Sequence, residues 1–348
     1  MPMAAYSMAI GIPETIMTIR RPSLVLVAAL SLLALPACNA AGGGQFAARP
    51  SPTAKPVGVV TVAEARKILA RWDSEEKKAE LDRAADFTGA EAGLLAEITK
   101  ATALLLRALG EPVETSHEAI VKPRFAIPAK GAADPPWFMA DFTRKGAKYW
   151  GQLIFQQTSD GWRVVARSST STKSRIPAPA RDGNGLATVL APDAKTGLPA
   201  SPRQIAQAHA RMQATFGQDP QARRLFTADA KPRVNARTLK DQRQSLRKDL
   251  KWNLKVGAQP TQELFTLRAA NGGALIWYGL KLKQVYSVTP GAGWIAFTDR
   301  PSAAVSHGKR FNKKAVMSEG AIHLAVVGRS GQVQVPTVYH ASFSITGS

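Results

Sequence analysis

Leu153-Ile154-Phe155-Gln156-Gln157-Thr158-Ser159-Asp160-Gly161-Trp162-Arg163-Val164-Val165-Ala166 is the stretch that decides the fold class. Asp160-Gly161 is a hairpin turn signal. Leu153 and Phe155 lie on one face before it, and Trp162, Val164 and Ala166 recur every second residue after it, the period of a strand with one buried face. The stretch therefore predicts two antiparallel strands. Upstream, Trp137-Phe138-Met139 and Asp141-Phe142 read as a further strand.

Before these strands the period changes to that of helices. Thr61-Val62-Ala63-Glu64 is a capping box, and Val62, Ala65, Leu69 and Trp72 follow at helical spacing. Thr88-Gly89-Ala90-Glu91 reads as a second capping box. Leu94, Leu95, Ile98, Ala101, Leu105 and Leu109 follow it, and Gly110 and Pro112 stop the helix.

Beyond Ser168 the chain is rich in Ser, Thr, Pro, Gly and Ala, which predicts a linker with at most one short strand at 187–190. The order then repeats. Ser201-Pro202 opens a helix through Ile205, Ala208, Met212 and Phe216, ended by Gly217. A second helix is expected from Arg237 to Leu254, with Leu239, Leu246 and Leu250 on one face. Strands return around the Asn271-Gly272-Gly273 turn. Ile276, Tyr278, Leu280 and Leu282 form an apolar face opposite a wetter face of Trp277, Lys281 and Lys283. A last hairpin joins Ile322, Leu324 and Val326 to Val333, Val335, Tyr339, Phe343 and Ile345, with Gly328 to Gly331 as its turn.

Helices followed by antiparallel strands, twice over, predict an α+β protein of two tandem domains, each with a curved sheet. The expected divisions are an upstream extension and signal peptide (1–37), a flexible tether (38–58), a near-neutral domain (59–170), a linker (171–200) and a basic domain (201–348). Closed by the Asp160-to-Val165 hairpin, the first half loosely resembles the nuclear-transport-factor-2-like cone and the second half more loosely, and a cystatin-like sheet fits almost as well.

The N-terminus carries its own signal. Arg20 and Arg21 precede an apolar run from Leu24 to Leu35. A basic pair, a short apolar run and small residues describe a secretory signal peptide, and the run is too short to span a bilayer. The single cysteine, Cys38, directly follows Leu35-Pro36-Ala37, which resembles a bacterial lipobox. That resemblance implies acylation of Cys38 and cleavage before it. Gly42-Gly43-Gly44 with Pro50, Pro52 and Pro56 makes the expected tether. Met17 is the expected start codon. Export by general secretion fits Pro22-Ser23 better than the twin-arginine route.

With this signal, the Glu64-to-Asp86 helix and the Asp86-Phe87-Thr88-Gly89-Ala90-Glu91 start of the next, the chain resembles actinobacterial lipoproteins that carry a large domain of unknown function. The resemblance transfers no catalytic residue.

The net charge of +21 is unevenly placed. From Gly161 to the end, 28 Lys and Arg face 9 Asp and Glu, whereas residues 39–160 are nearly neutral. The expected second helix places Lys240, Arg243, Arg247, Lys251 and Lys255 on one stripe, and Lys309, Arg310, Lys313 and Lys314 form another cluster. These nine residues are the candidate anion-binding surface. Outside a cell its partners would be anionic lipid or wall polymer rather than intracellular nucleic acid.

One cysteine excludes an intramolecular disulfide and a multi-cysteine zinc site. No nucleophile elbow, phosphate loop, dinucleotide fingerprint or paired-histidine zinc motif occurs, so no catalytic residue, cofactor or metal is expected. His323 and His340 fall opposite the apolar residues of the last hairpin, facing solvent or a neighbouring strand. Trp137, Trp150 and Asp141 are the candidates for a cone pocket, with Asp141 as an acid or base. The leading expectation is a lipid-anchored binding or scaffold module on the outer face of the membrane, with an envelope protein as a possible partner. The alternative is a small-molecule carrier or enzyme using the cone.

Overall fold

A computed structural model describes residues 55–82, 85–111, 118–173, 176–195, 197–328 and 331–348. The expected signal peptide, Met17, Cys38 and the tether up to residue 54 lie outside the described residues. Helix α1 spans Val62–Leu81. Thr61 caps it as expected: its hydroxyl accepts from the Glu64 amide at 3.2 Å, and the Glu64 carboxylate accepts from the Thr61 amide at 2.6 Å. Helix α2, Gly93–Ala108, starts later than the Thr88–Glu91 box predicts, and its N-cap, Ala92, makes no side-chain cap bond. Thr88 instead turns back on Asp86, donating its amide at 3.0 Å and its hydroxyl at 2.7 Å. Residues 90–92 run beside Val164 in an extended pair of backbone bonds. Glu91 is held inside by Arg167, so it is unavailable as a cap.

Four antiparallel strands follow in sequence order: β1 Ile120–Ala126, β2 Trp137–Arg144, β3 Tyr149–Thr158 and β4 Gly161–Ser171. The β3–β4 turn lies at the expected place. Gly161 has φ of 100°, and the Thr158 hydroxyl donates to its carbonyl at 2.8 Å. Helices α3 (Pro202–Ala214), α4 (Pro220–Leu225) and α5 (Lys231–Asp249) then precede a second antiparallel sheet. It orders β5 Trp252–Arg268, β6 Ala274–Val288, β7 Lys314–Val327 and β8 Val333–Gly347, with helix α6 (Arg300–Val305) between β6 and β7. The α+β reading therefore holds as two four-stranded antiparallel sheets, each preceded by helices.

The two sheets share a core. One buried cluster joins Trp72 of α1, Leu95 and Ile98 of α2, Phe138 and Phe155 of the first sheet, and Leu275, Trp277 and Leu324 of the second. Residues 56–348 accordingly gather into one compact unit. The first turns of β6 are buried on both faces. Trp277 meets the first half, while Ile276, Tyr278 and Leu280 pack on Ile205, Ala208 and Met212 of α3. The wetter face expected at Trp277 is thus buried, because α3 covers one side of the sheet and the first half the other. Only farther along, at Lys281 and Lys283, does that face reach water.

Residues 171–200, expected as a linker, form a strap across both sheets. The Ala187 amide donates to the Ile127 carbonyl at 2.8 Å and the Leu190 amide to the Thr266 carbonyl at 3.1 Å. The strand expected at 187–190 is a pair of bridges, Ala187 to Pro128 and Val189 to Leu267.

Candidate functional site

Helix α5 does not run to Leu254. It ends at Asp249; Leu250 is the C-cap, Lys251 takes the left-handed conformation at φ 55°, and Trp252 starts β5. A positive φ outside glycine is uncommon, and here it turns the chain sharply from helix to strand. The five-residue stripe is therefore split. Lys240, Arg243 and Arg247 share a face of α5, Lys251 sits at the turn, and Lys255 stands on the outer face of β5 between buried Leu254 and Val256.

The fold restores the cluster by another route. The Lys251 carbonyl accepts from both the amide (3.0 Å) and the hydroxyl (2.6 Å) of Thr289, at the end of β6. The next amide back, that of Val288, donates to the Lys313 carbonyl at 3.1 Å. Lys313 and Lys314 in turn donate their amides to the carbonyl of Ser348, beyond β8, at 2.8 and 3.1 Å. Lys251, Lys313 and Lys314 thus mark one end of the second sheet. Lys309 and Arg310 join them through Phe311, whose backbone pairs with Ile295 in both directions.

This end is built over its own apolar cluster, which includes Phe216, Leu246, Trp252, Tyr286, Phe297 and Phe311. The guanidinium of Arg243 lies 4.7 Å from the Phe216 ring, and that of Arg310 lies 4.5 Å from the Trp294 ring. All nine predicted cations are exposed, and among the described residues none forms an ion pair. Trp294 and Leu250 are exposed by nearly half (46% and 47%) at the same end. Sequence reading missed both. Leu250 was counted into an apolar helix face, and Trp294 sits in a Gly-Ala-Gly loop with no periodicity to mark it.

The cone-pocket candidates go elsewhere. Asp141 is buried, paired with Arg124, and accepts from Gln152 at 3.4 Å. Arg124 also covers the Trp150 ring at 4.4 Å. Trp137 is a core residue packed edge-on against Phe265 of the second sheet at 5.5 Å. The Asp141 carboxylate thus accepts from Arg124 and Gln152 inside the first sheet. A groove of about 630 Å³ opens beside other residues, with Val57, Val62, Phe125 and Leu186 on its walls. Arg181 at its edge is occupied, donating to the carbonyls of Gly185 at 2.6 Å and Phe125 at 2.7 Å.

His323 is buried rather than solvent-facing, because α3 covers that face of β7. Its close neighbour is His209 of α3, with ring centroids 4.3 Å apart. His209 Nδ1 meets the Tyr278 hydroxyl at 2.8 Å, and its Nε2 meets the Gln213 amide nitrogen at 3.2 Å. With Gln213 donating to Nε2, the imidazole proton sits on Nδ1 and goes to Tyr278. Burial holds His209 down at about 3, and His323 falls well below its ordinary value through burial and the neighbouring His209 and His340. Both rings are neutral packing groups. Among the described residues no three His, Cys, Asp or Glu side chains gather as a metal-binding group.

A family sequence model described as a domain of unknown function, DUF8094, matches residues 56–339. The chain belongs to this family. The matched span of this DUF8094 member begins at Pro56 and takes in the first sheet, the strap, β5 to β7 and the first half of β8. A comparison with curated proteins gave no match.

Proposed function

We propose that this DUF8094 protein is an exported, lipid-anchored envelope protein that works by binding rather than by catalysis, docking on an anionic surface through the basic end of its second sheet. The single observation that carries the reading is the convergence of Lys251, Lys309, Arg310, Lys313 and Lys314 on one sheet end beside the Lys240–Arg247 face of α5, exposed and without ion-pair partners among the described residues. Cations left unpaired over one face attract polyanions in a salt-dependent way. The anchored, extracytoplasmic part of the reading is supported by Arg20-Arg21, the apolar run to Leu35 and Cys38 in its lipobox-like setting. The helices ahead of each sheet and the tight Thr158–Gly161 hairpin support descent of each half from a nuclear-transport-factor-2-like or cystatin-like unit.

The mature chain is expected to bind anionic vesicles or wall polymer at low salt and release them at high salt. Arg243→Glu, Arg247→Glu and Lys251→Glu together should weaken binding far more than Arg66→Glu, Lys67→Glu and Arg71→Glu. Equal retention at low and high salt, or equal effects of the two triples, would falsify the docking surface. For the anchor, Cys38→Ala should move the protein from the membrane fraction to the medium.

A further inference from the structure

We propose that the basic end is a bilayer-docking tip: Trp294 and Leu250 enter the headgroup region of an anionic membrane while Lys251, Lys309, Arg310, Lys313 and Lys314 engage its phosphates. This rests on the docking surface proposed above and names its partner.

The argument turns on what the exposed apolar groups add. A polyphosphate polymer in water needs only cations, and half-exposed Trp and Leu side chains contribute nothing to it. A bilayer interface, by contrast, favours indole rings, whose apolar body and polar N–H match the headgroup layer. Five other large apolar side chains of the described residues are exposed (Val57, Val62, Leu81, Leu104 and Tyr149), and none of them belongs to the 250–255, 288–294 and 309–314 segments that form this end. Trp294 contacts Arg310, and Leu250 directly precedes Lys251.

The geometry suits a tip. Leu250 and Lys251 close the α5–β5 turn, and the hydrogen bonds from Thr289 to Lys251 tie that turn to the 289–294 loop. The Arg310 guanidinium lies 4.5 Å from the Trp294 ring, so one side chain brings charge and the other apolar area to the same point. The base is rigid, since Phe311, Ile295 and Trp252 beneath it are buried. A basic surface with an aromatic and an aliphatic residue at its centre matches the composition of interfacial membrane anchors.

The test uses the mature chain with Cys38→Ser, so that no acyl group contributes. Its partitioning is measured into vesicles of phosphatidylcholine with and without phosphatidylglycerol, with brominated lipids as quenchers. Expected are binding to the phosphatidylglycerol vesicles only, bromine quenching of tryptophan emission that Trp294→Phe abolishes, and about a tenfold lower partition coefficient for Trp294→Ser. Leu250→Ser should act in the same direction. Both positions are partly exposed, so unchanged thermal melts are expected and serve as the folding control. Binding without quenching, and unaffected by Trp294→Ser, overturns the bilayer tip but leaves charge-driven docking intact. Salt-dependent binding to a soluble teichoic-type phosphate polymer with none to vesicles overturns it in favour of the polymer. Binding to neither overturns both readings.

Discussion

The indole N–H of Trp277 donates to Ser168 Oγ at 3.0 Å, joining the central region of the second sheet to the last strand of the first. The Ser168 hydroxyl passes its own proton to Gln152 Oε1 at 3.0 Å. The Gln152 amide reaches Thr170 Oγ1 at 3.1 Å and Asp141 Oδ1 at 3.4 Å, and Asp141 ends the relay on Arg124. Trp277, Ser168, Gln152, Thr170 and Asp141 are all buried, so each of these polar groups depends on the others for its hydrogen bonds.

Ser168→Ala removes the middle of that relay and leaves the Trp277 N–H and the Gln152 carbonyl without their partner. An unsatisfied buried group costs about 1–3 kcal/mol. For a unit of this size each kcal/mol lowers the melting temperature by about 1.5–2 °C. Because the bond crosses from one sheet to the other, calorimetry should show one transition for wild type and one, shifted down, for the variant. Two separated peaks, with only one of them moved, would show that the sheets unfold independently.

Leu94 of α2 packs on a glycine pair in the neighbouring strands β6 and β7. A Cβ at Gly279 would lie 2.7 Å from Leu94 Cδ2, and one at Gly320 would lie 2.8 Å from Leu94 Cδ1. Gly279→Ala is expected to destabilise by about 1–3 kcal/mol through overpacking. Leu94→Ala alone should cost about 2–5 kcal/mol through the cavity it leaves. Together they should cost less than the sum, since truncating Leu94 relieves its share of the crowding, while Thr261 Oγ1, 2.6 Å from the new methyl, keeps the rest. Urea unfolding of the four proteins measures this, and strict additivity would mean that Leu94 does not set the spacing.

His209 and His323 make stability sensitive to acid. Their folded pKa values lie below the ordinary 6.5, so the unfolded chain binds protons that the folded chain refuses. The support they give the fold is complete above about pH 6.5 and is withdrawn as the pH falls toward their folded values. Each ring steepens that loss by up to about 1.4 kcal/mol per pH unit. His323 Nδ1 has no hydrogen-bond partner, so His323→Leu removes a buried polar atom without orphaning another. The variant should match wild type at pH 8 and exceed it at pH 5.5 in chemical denaturation. A parallel pH dependence would rule out His323 as one of the responsible groups.

What the sequence made legible is local. The Thr61–Glu64 box, the Ser201 cap before Pro202 and the Asp160-Gly161 turn depend on a few adjacent residues, and each stands where its pattern places it. The readings that failed depend on partners distant in sequence. Glu91 had the right type and spacing for a cap but is drawn inward by Arg167, 76 residues away. Leu239, Leu246 and Leu250 keep helical spacing and so predict a helix on to Leu254, yet the chain turns at Lys251, with no Gly or Pro to announce it. The period of two in Trp252, Leu254 and Val256 was the available signal. The candidate site followed the same rule: the two cationic runs were visible separately, and only pairing of the strand ends brings Lys251 and Lys313 together.

Glu91 sets the opposite limit, on the alkaline side. Burial pushes its carboxyl up to about 8, with the Arg167 guanidinium and the Thr99 hydroxyl pulling down and Glu76 and Glu80 pushing up. Arg167 lies nearer to Glu76, at 3.1 Å, than to Glu91, at 3.4 Å, and its charge is matched there. Glu91 Oε2 has no acceptor or donor opposite it, as suits a carboxyl that keeps its proton at neutral pH. A carboxyl with a raised folded value favours the fold below its unfolded value near 4.5 and withdraws that support as the pH climbs through 8. Glu91→Gln has the same shape and no proton to lose. Relative to wild type it should therefore gain stability as the pH rises from 5 to 8, by up to about 1.4 kcal/mol per pH unit, and the variant should be the more stable protein at pH 9. If instead the variant is weaker at every pH by a constant amount, Glu91 is ionised in the fold and pairs with Arg167 as a charge.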